Sequence, residues 1–417
     1  VTDSSLDGRS EVLERELGDL GAQALLIVAG SSRDPDLAPF VGPVHLGRSF
    51  LLLPRPGSPR GPLLGYLARM ERDGAAATGL DLLTPEALEV DRLSREHPAS
   101  ASFWGALLCR ALDFARVPPG RIAVAGHLGA GHAIGFAGAL EAEEWTPVDG
   151  HRVVRMLRKR KDGGQLEAIR EAAAGTLAAF RRVACVLAAS AGDEVRPGDE
   201  LAFEGAPLTV GRLRHEIFRV VAEHGLEQPE GNIVAPAEEA AVPHTTGTDE
   251  RPLRAGESLV VDLFPRGRLY ADCTRTFCVG PAPEALATAH ATVLDALHGA
   301  RAAARAGVRG WDLQEAACQH FEAHGYDDPI RQPATTEGYV HGLGHGVGFE
   351  LHELPSFRKE AELEGVLEAG DVVTLEPGLY SPTAGYGVRL EDLVAVGDDG
   401  IAEDLTPLPY DLDPRAW

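Results

Sequence analysis

The 417-residue chain is short of cysteine, of positive charge and of long apolar runs, and each shortage excludes something. Its five cysteines, Cys109, Cys185, Cys273, Cys278 and Cys318, are too few and too scattered for a disulfide framework, and none forms a CxxC pair. The expectation is reduced, mostly buried thiols in a cytoplasmic protein, with Cys273 and Cys278 as packing residues. Lys and Arg total 39 against 63 Asp and Glu, a net charge of −24. That balance argues against nucleic acid or an anionic membrane as partner, since phosphate binding needs a basic surface. No stretch approaches the ~18 uninterrupted apolar residues of a membrane span. The opening VTDSSLDGRS has neither the basic start nor the apolar run of a secretory signal.

What is present suits two domains and a large core: the chain is 44% hydrophobic and 24% charged. Residues 1–155 read as an α/β domain. Leu13, Leu17 and Leu20 mark a helix face, residues 24–28, 49–53, 62–66 and 121–126 read as strands, and residues 103–116 read as a helix. A boundary falls near residues 151–162, which carry six Lys and Arg. A solvated connector, or the start of a helix, is expected there. The second domain, 156–417, opens with a long Ala-rich helix over 166–187. Residues 188–210 mix Gly, Pro and acidic side chains and read as a surface insertion. Helices follow over 212–225, 283–307 and 311–325.

Four acidic residues and a histidine carry the chemistry: Asp262, Asp272, His345, Glu376 and Glu391. Each sits in strand-like or Gly-rich sequence, and carboxylates set among apolar strand residues are costly to bury without compensation. Two divalent cations would supply it. A hairpin centred on Gly267 places Asp262 directly opposite Asp272, ~5 Å away on one sheet face. Like charges at that spacing repel unless a cation lies between them. Residues 341–352 read HGLGHGVGFELH. Alternating Gly makes a helix improbable and suggests backbone lying close to a ligand or another segment. His341, His345 and His352 are therefore candidates for one ligand and two substrate- or proton-handling groups. In the strand GVRLEDLVAV, Arg389 and Glu391 share a face and Asp392 points the other way. Glu391 is thus the ligand and Asp392 structural. Such an oxygen-rich set accepts Mn²⁺, Co²⁺, Fe²⁺ or Zn²⁺, and ligand types alone do not choose among them. A two-metal site of this kind binds and deprotonates a bridging water.

The motifs HGLGHGVGFELHELP and LEPGLY…GVRLED resemble those of the pita-bread-fold metallopeptidases, above all prolidase and Xaa-Pro aminopeptidase. The resemblance covers roughly residues 160–417, and residues 1–155 resemble, more weakly, the creatinase-type N-terminal domain. It implies an α/β N-terminal domain followed by an α+β pita-bread catalytic domain, with Asp262, Asp272, His345, Glu376 and Glu391 as ligands of two metal ions. It implies hydrolysis of the bond between an N-terminal residue and proline in a peptide or dipeptide, and a homodimer. Glu376 would double as general base. His352 would assist the tetrahedral intermediate or the leaving nitrogen, His341 and His244 would contact substrate, and the fork of Arg389 would bind a substrate carboxylate. The chain departs from the pattern between the two aspartates, where it is one residue short and has Phe264, followed by Pro265, at the position often held by glycine. A bulge is expected to absorb that difference. A metal-dependent lyase or hydrolase of a small non-peptide, and a binding protein stapled by metal, are the alternative readings.

Overall fold

The computed structural model describes residues 9–192 and 195–417. Residues 1–8, most of the segment read for a targeting signal, and residues 193–194 of the expected insertion lie outside the described residues. The chain divides into two compact units, Val1–Arg158 and Lys159–Trp417.

The first unit is built on one mixed sheet. Its strands are β1 (Ala22–Ala29), β2 (Ser49–Pro54), β3 (Leu63–Tyr66), β4 (Asp81–Leu83), β5 (Gly120–Ala125) and β6 (Trp145–Asp149), in the order β4-β3-β2-β1-β5-β6. Strand β1 is apolar from Ala24 to Ala29 because both its faces are covered there. Ala24, Leu26 and Val28 join a core that includes Leu107 and Leu112 of helix Ser100–Ala115, and Leu25, Ile27 and Ala29 join one that includes Leu13 and Leu17 of helix Ser10–Leu20. Strands β4 and β6, with sequences DLL and WTPVD, carry too little pattern to be recognised without the sheet.

The second unit opens with the helix Gly163–Ser190. A capping box starts it: the Asp162 carboxylate accepts from Gln165 N–H, and the Gln165 side chain accepts from Asp162 N–H. By length and composition alone this helix is long and apolar enough to cross a membrane. Here Phe180, Val183 and Leu187 pack with Leu213, Ile217 and Val221 of helix Val210–Glu223, so its apolar side is core. The strands are β7 (Ala202–Phe203), β8 (Ala206–Pro207), β9 (Ile233–Pro236), β10 (Leu259–Leu263), β11 (Cys273–Phe277), β12 (His345–Gly346), β13 (Glu353–Ser356), β14 (Val372–Leu375), β15 (Gly378–Ser381), β16 (Tyr386–Arg389), β17 (Asp392–Val396) and β18 (Ala402–Asp404). They form sheets β11-β10-β9 and β13-β12-β14-β17-β18 and the pairs β15-β16 and β7-β8.

Two expectations are corrected. Residues 188–210 are not merely a surface insertion. Leu201, Leu208 and Val210 are buried in the main core, and Leu201 and Leu208 flank the β7–β8 hairpin. The basic run is not a solvated connector either: Arg158, Lys159 and Lys161 are buried. Each has a carboxylate partner: Arg158 lies 3.1 Å from Asp36, Lys159 2.7 Å from Glu368 and 3.3 Å from Asp371, and Lys161 2.6 Å from Glu353. Pairing is what allows such charges inside.

Candidate metal centre

Strand alternation positions the first carboxylate. Leu259, Val261 and Leu263 of β10 face the main core, so Val260 and Asp262 face the other side of the sheet. The hairpin register departs from expectation. Asp262 pairs with Thr274 and Leu263 with Cys273, the ladder ends there, and Asp272 stands just outside it. No bulge interrupts the ladder. Residues 264–272 instead form a wide turn, closed by Ala271 N–H donating to the Pro265 carbonyl at 3.1 Å. Pro265 has no N–H to extend the pairing. Asp272 nonetheless stays close enough for the Asp262 charge to raise its pKa.

The remaining groups come from the second sheet and its flanks. GVRLEDLVAV is not one strand: it breaks at Leu390 into β16 and β17, which belong to different sheets. The two acids still diverge. Glu391 bridges to Thr274 across the sheets, and its Oε2 accepts from the Thr274 hydroxyl at 2.7 Å. Asp392 faces away and is fully buried between Arg275 and Arg301, each at 2.9 Å, with the Tyr410 hydroxyl at 2.7 Å. His345 lies on β12, its backbone N–H donating to the Thr374 hydroxyl at 3.1 Å. Its Nδ1 donates to the Gly346 carbonyl at 3.1 Å, which leaves the Nε2 lone pair for the carboxylates. Nε2 is 3.8 Å from Asp272 and 3.5 Å from Glu376. Glu376, at the end of β14, donates its N–H to the Leu343 carbonyl at 2.7 Å. Gly346 is required by close packing: a Cβ there would lie 2.1 Å from the Leu354 carbonyl oxygen.

The electrostatics follow from crowding. Burial, then the Glu391 and Asp262 charges, push Asp272 well above the usual carboxylate range. Burial, then Glu376 and Asp262, do the same to Glu391. Burial and the Asp262 charge lift Glu376 to about 8 despite Arg389. Burial and His352 depress His345 to about 3, so its ring is neutral. Donor atoms of Asp272, His345 and Glu391 all lie within 4.8 Å of one another. The buried Oδ1 of Asp262 has no hydrogen-bond partner among the described residues. An orphaned carboxylate oxygen beside acids held up in pKa, with a neutral imidazole between them, fits divalent cations.

The other candidates surround this group. His352 is exposed, and its ring lies 4.1 Å from that of His345. Burial and the His244 charge lower its pKa. The exposed His244 also lowers the pKa of His341 and so lies near both rings. His341 has both nitrogens engaged: Nδ1 donates to Gly342 O at 2.7 Å, and Nε2 accepts from the Tyr380 hydroxyl at 2.9 Å. Burial and the Arg389 charge hold it at about 3. Arg389 departs most from its expected role. It is buried, and its donors go to Asp262 at 2.6 Å, Tyr380 at 2.8 Å, Pro243 O at 3.2 Å and Thr274 at 3.3 Å. It orients the first aspartate, and its fork is not free for a substrate carboxylate. Thr274 and Tyr380 were missed by the residue pattern. The signals were Thr274's alternation with Asp272 and Tyr380's place in LEPGLY.

Residues 167–398 match metallopeptidase family M24. The chain belongs to this family. It is 36% identical over 214 residues to an Xaa-Pro dipeptidase of Pyrococcus furiosus, a match covering 49% of this chain and 57% of that protein. It is 30% identical over 297 residues to a probable dipeptidase, PepE, of Mycobacterium tuberculosis, covering 70% of each. Among solved structures, an Xaa-Pro dipeptidase from Bacillus anthracis superposes with a TM-score of 0.73 at 22% identity, over 97% of this chain and 98% of that one. The X-Pro aminopeptidase of Thermotoga maritima gives 0.68 at 23%, over 97% and 99%. These likenesses establish the fold of this M24 member: an α/β N-terminal part and an α+β pita-bread C-terminal part. The chain spans little more than half the length of the Pyrococcus relative.

Proposed function

We propose that the protein hydrolyses the bond between an N-terminal residue and a following proline in peptides or dipeptides. Asp262, Asp272, His345, Glu376 and Glu391 would hold two divalent ions, with Mn²⁺ ahead of Co²⁺, Zn²⁺ or Fe²⁺. The observation that carries this reading is the convergence of Asp272, His345 and Glu391 within 4.8 Å, beside the orphaned Asp262 oxygen. Bound there, such ions polarise a carbonyl and acidify a water. The preference for proline is taken from relatives that act on Xaa-Pro dipeptides.

The chain's own residues do the rest. Glu376 takes the proton of the attacking water, and its buried carboxylate can pass that proton to the leaving nitrogen. The exposed His352 donates to the oxygen that becomes negative in the tetrahedral intermediate. His244, beside it, contacts the substrate backbone. His341 presents its ring to the substrate while Tyr380 fixes its tautomer. Arg389 keeps Asp262 aimed. The five cysteines are unpaired, which suits the cytoplasmic location proposed with this activity, and a homodimer is its expected assembly.

The test compares Xaa-Pro dipeptides, longer Xaa-Pro peptides, Xaa-Ala controls and small zwitterionic non-peptides, each with metal-loaded protein. Release of the N-terminal residue from Xaa-Pro substrates alone supports the reading. Turnover confined to non-peptides replaces it with the lyase or hydrolase alternative.

A further inference from the structure

The residues linking the two histidines raise a question that the metal ligands do not answer. Between His345 and His352 the chain has almost no regular structure, yet the two rings sit 4.1 Å apart. Something must hold residues 347–352. Glu353, next in sequence after His352, is almost fully buried, and its Oε2 accepts from the N–H groups of Phe349 at 3.0 Å and Glu350 at 3.3 Å. Its Oε1 lies 2.6 Å from Lys161 Nζ, which is fully buried. Lys161 is itself fixed: Nζ donates to the Lys159 carbonyl and its backbone N–H to the Gly370 carbonyl, both at 2.7 Å.

A second observation ties this pair to the aspartate side. Gly348 packs directly on it: a Cβ there would lie 2.3 Å from Glu353 Oε1 and 2.5 Å from Lys161 Cε. The Gly348 carbonyl accepts from Tyr270 N–H at 2.9 Å, two residues before Asp272. A buried ion pair is poor value as a source of stability, because desolvation offsets most of its attraction, and apolar residues of like volume often serve as well. Its use here is therefore better sought in placement.

We propose that Lys161 and Glu353 are positioning residues: their ion pair locks the His345–His352 loop and, through Gly348, the turn bearing Asp272, so that the imidazole and the carboxylate converge. This rests on reading His345 and Asp272 as ligands, as under the proposed function.

The test binds Co²⁺ to metal-free protein, without substrate, and follows affinity and visible absorption. Lys161→Met/Glu353→Gln removes both charges at nearly constant volume. Its first Co²⁺ equivalent should bind roughly tenfold more weakly, with an altered absorption band. On Xaa-Pro dipeptide, kcat should fall while KM changes less. Gly348→Ala presses on the same pair and should change the spectrum in the same way, so the test survives a double variant that does not fold. Wild-type Co²⁺ affinity and absorption in either folded variant overturns the inference. Absence of Xaa-Pro hydrolysis by the unaltered protein would strike the proposed function alone, since Co²⁺ binding is read without substrate.

Discussion

Glu391 and Asp392 are adjacent acids with opposite tasks, and side-chain parity separates them. Glu391 faces Thr274 and the other carboxylates, and Asp392 faces two arginines. Asp392→Asn should therefore leave Arg275 buried without its charge partner and cost about 3–5 kcal/mol of stability. Denaturant unfolding measures this, and a loss under about 1 kcal/mol would mean that the arginines find other partners. Glu376→Gln should behave in the opposite way, folding and binding metal while kcat falls roughly 10²–10⁴-fold, as for loss of a general base. At this scale the divergence of the two neighbouring acids was legible in the sequence, but the break at Leu390 that ends the single strand was not. Nor was the role of Arg389. Its partners Asp262, Thr274, Tyr380 and Pro243 lie between 9 and 146 positions away, and no local pattern encodes them.

At the scale of elements, the sequence shows which segments carry the site but not how they pair. The Asp262–Asp272 hairpin was expected in a register that makes them direct neighbours, and the ladder instead sets Asp262 opposite Thr274. Pro265 and Phe264 shift the turn, and turn geometry decides register in a hairpin. The buried Lys161–Glu353 pair was hidden for a related reason: a run of basic residues looks solvated until its distant acids are known. Of the four alternating glycines read as close-approach positions, Gly344, Gly346 and Gly348 are such, whereas Gly342 has open space where a Cβ would stand. Gly346 stands against the Leu354 carbonyl, and Gly344 has the Thr374 carbonyl oxygen 2.1 Å from where its Cβ would be. Both obstacles are backbone, which yields little. Gly346→Ala should lower the thermal midpoint by several degrees and weaken metal binding together, since β12 carries His345. A variant with unchanged melting and metal affinity would show that the strand can shift without cost.

For the whole molecule, the crowded carboxylates make stability depend on pH and metal. Asp272, Glu391 and Glu376 have raised pKa values, Glu376 at about 8, so the folded metal-free state holds more protons than the unfolded one. Stability then falls as pH rises from about 4 through the folded values. His345 and His341, lowered to about 3, act in the other sense, but only below the ordinary histidine value of about 6.5. Between pH 6.5 and 8 the carboxylates therefore act unopposed by the histidines. The thermal midpoint of metal-free protein should drop over that interval, and added Mn²⁺ should restore it most at pH 8. A midpoint that is flat with pH and indifferent to metal would remove the electrostatic case for the centre.

The most direct test of the central claim is a titration of metal-free protein with Mn²⁺ while proline release from an Xaa-Pro dipeptide is followed. The expected result is no release without metal, a rise that saturates at two equivalents per chain, and abolition by a chelator. No proline release at any level of Mn²⁺ or Co²⁺ would contradict it.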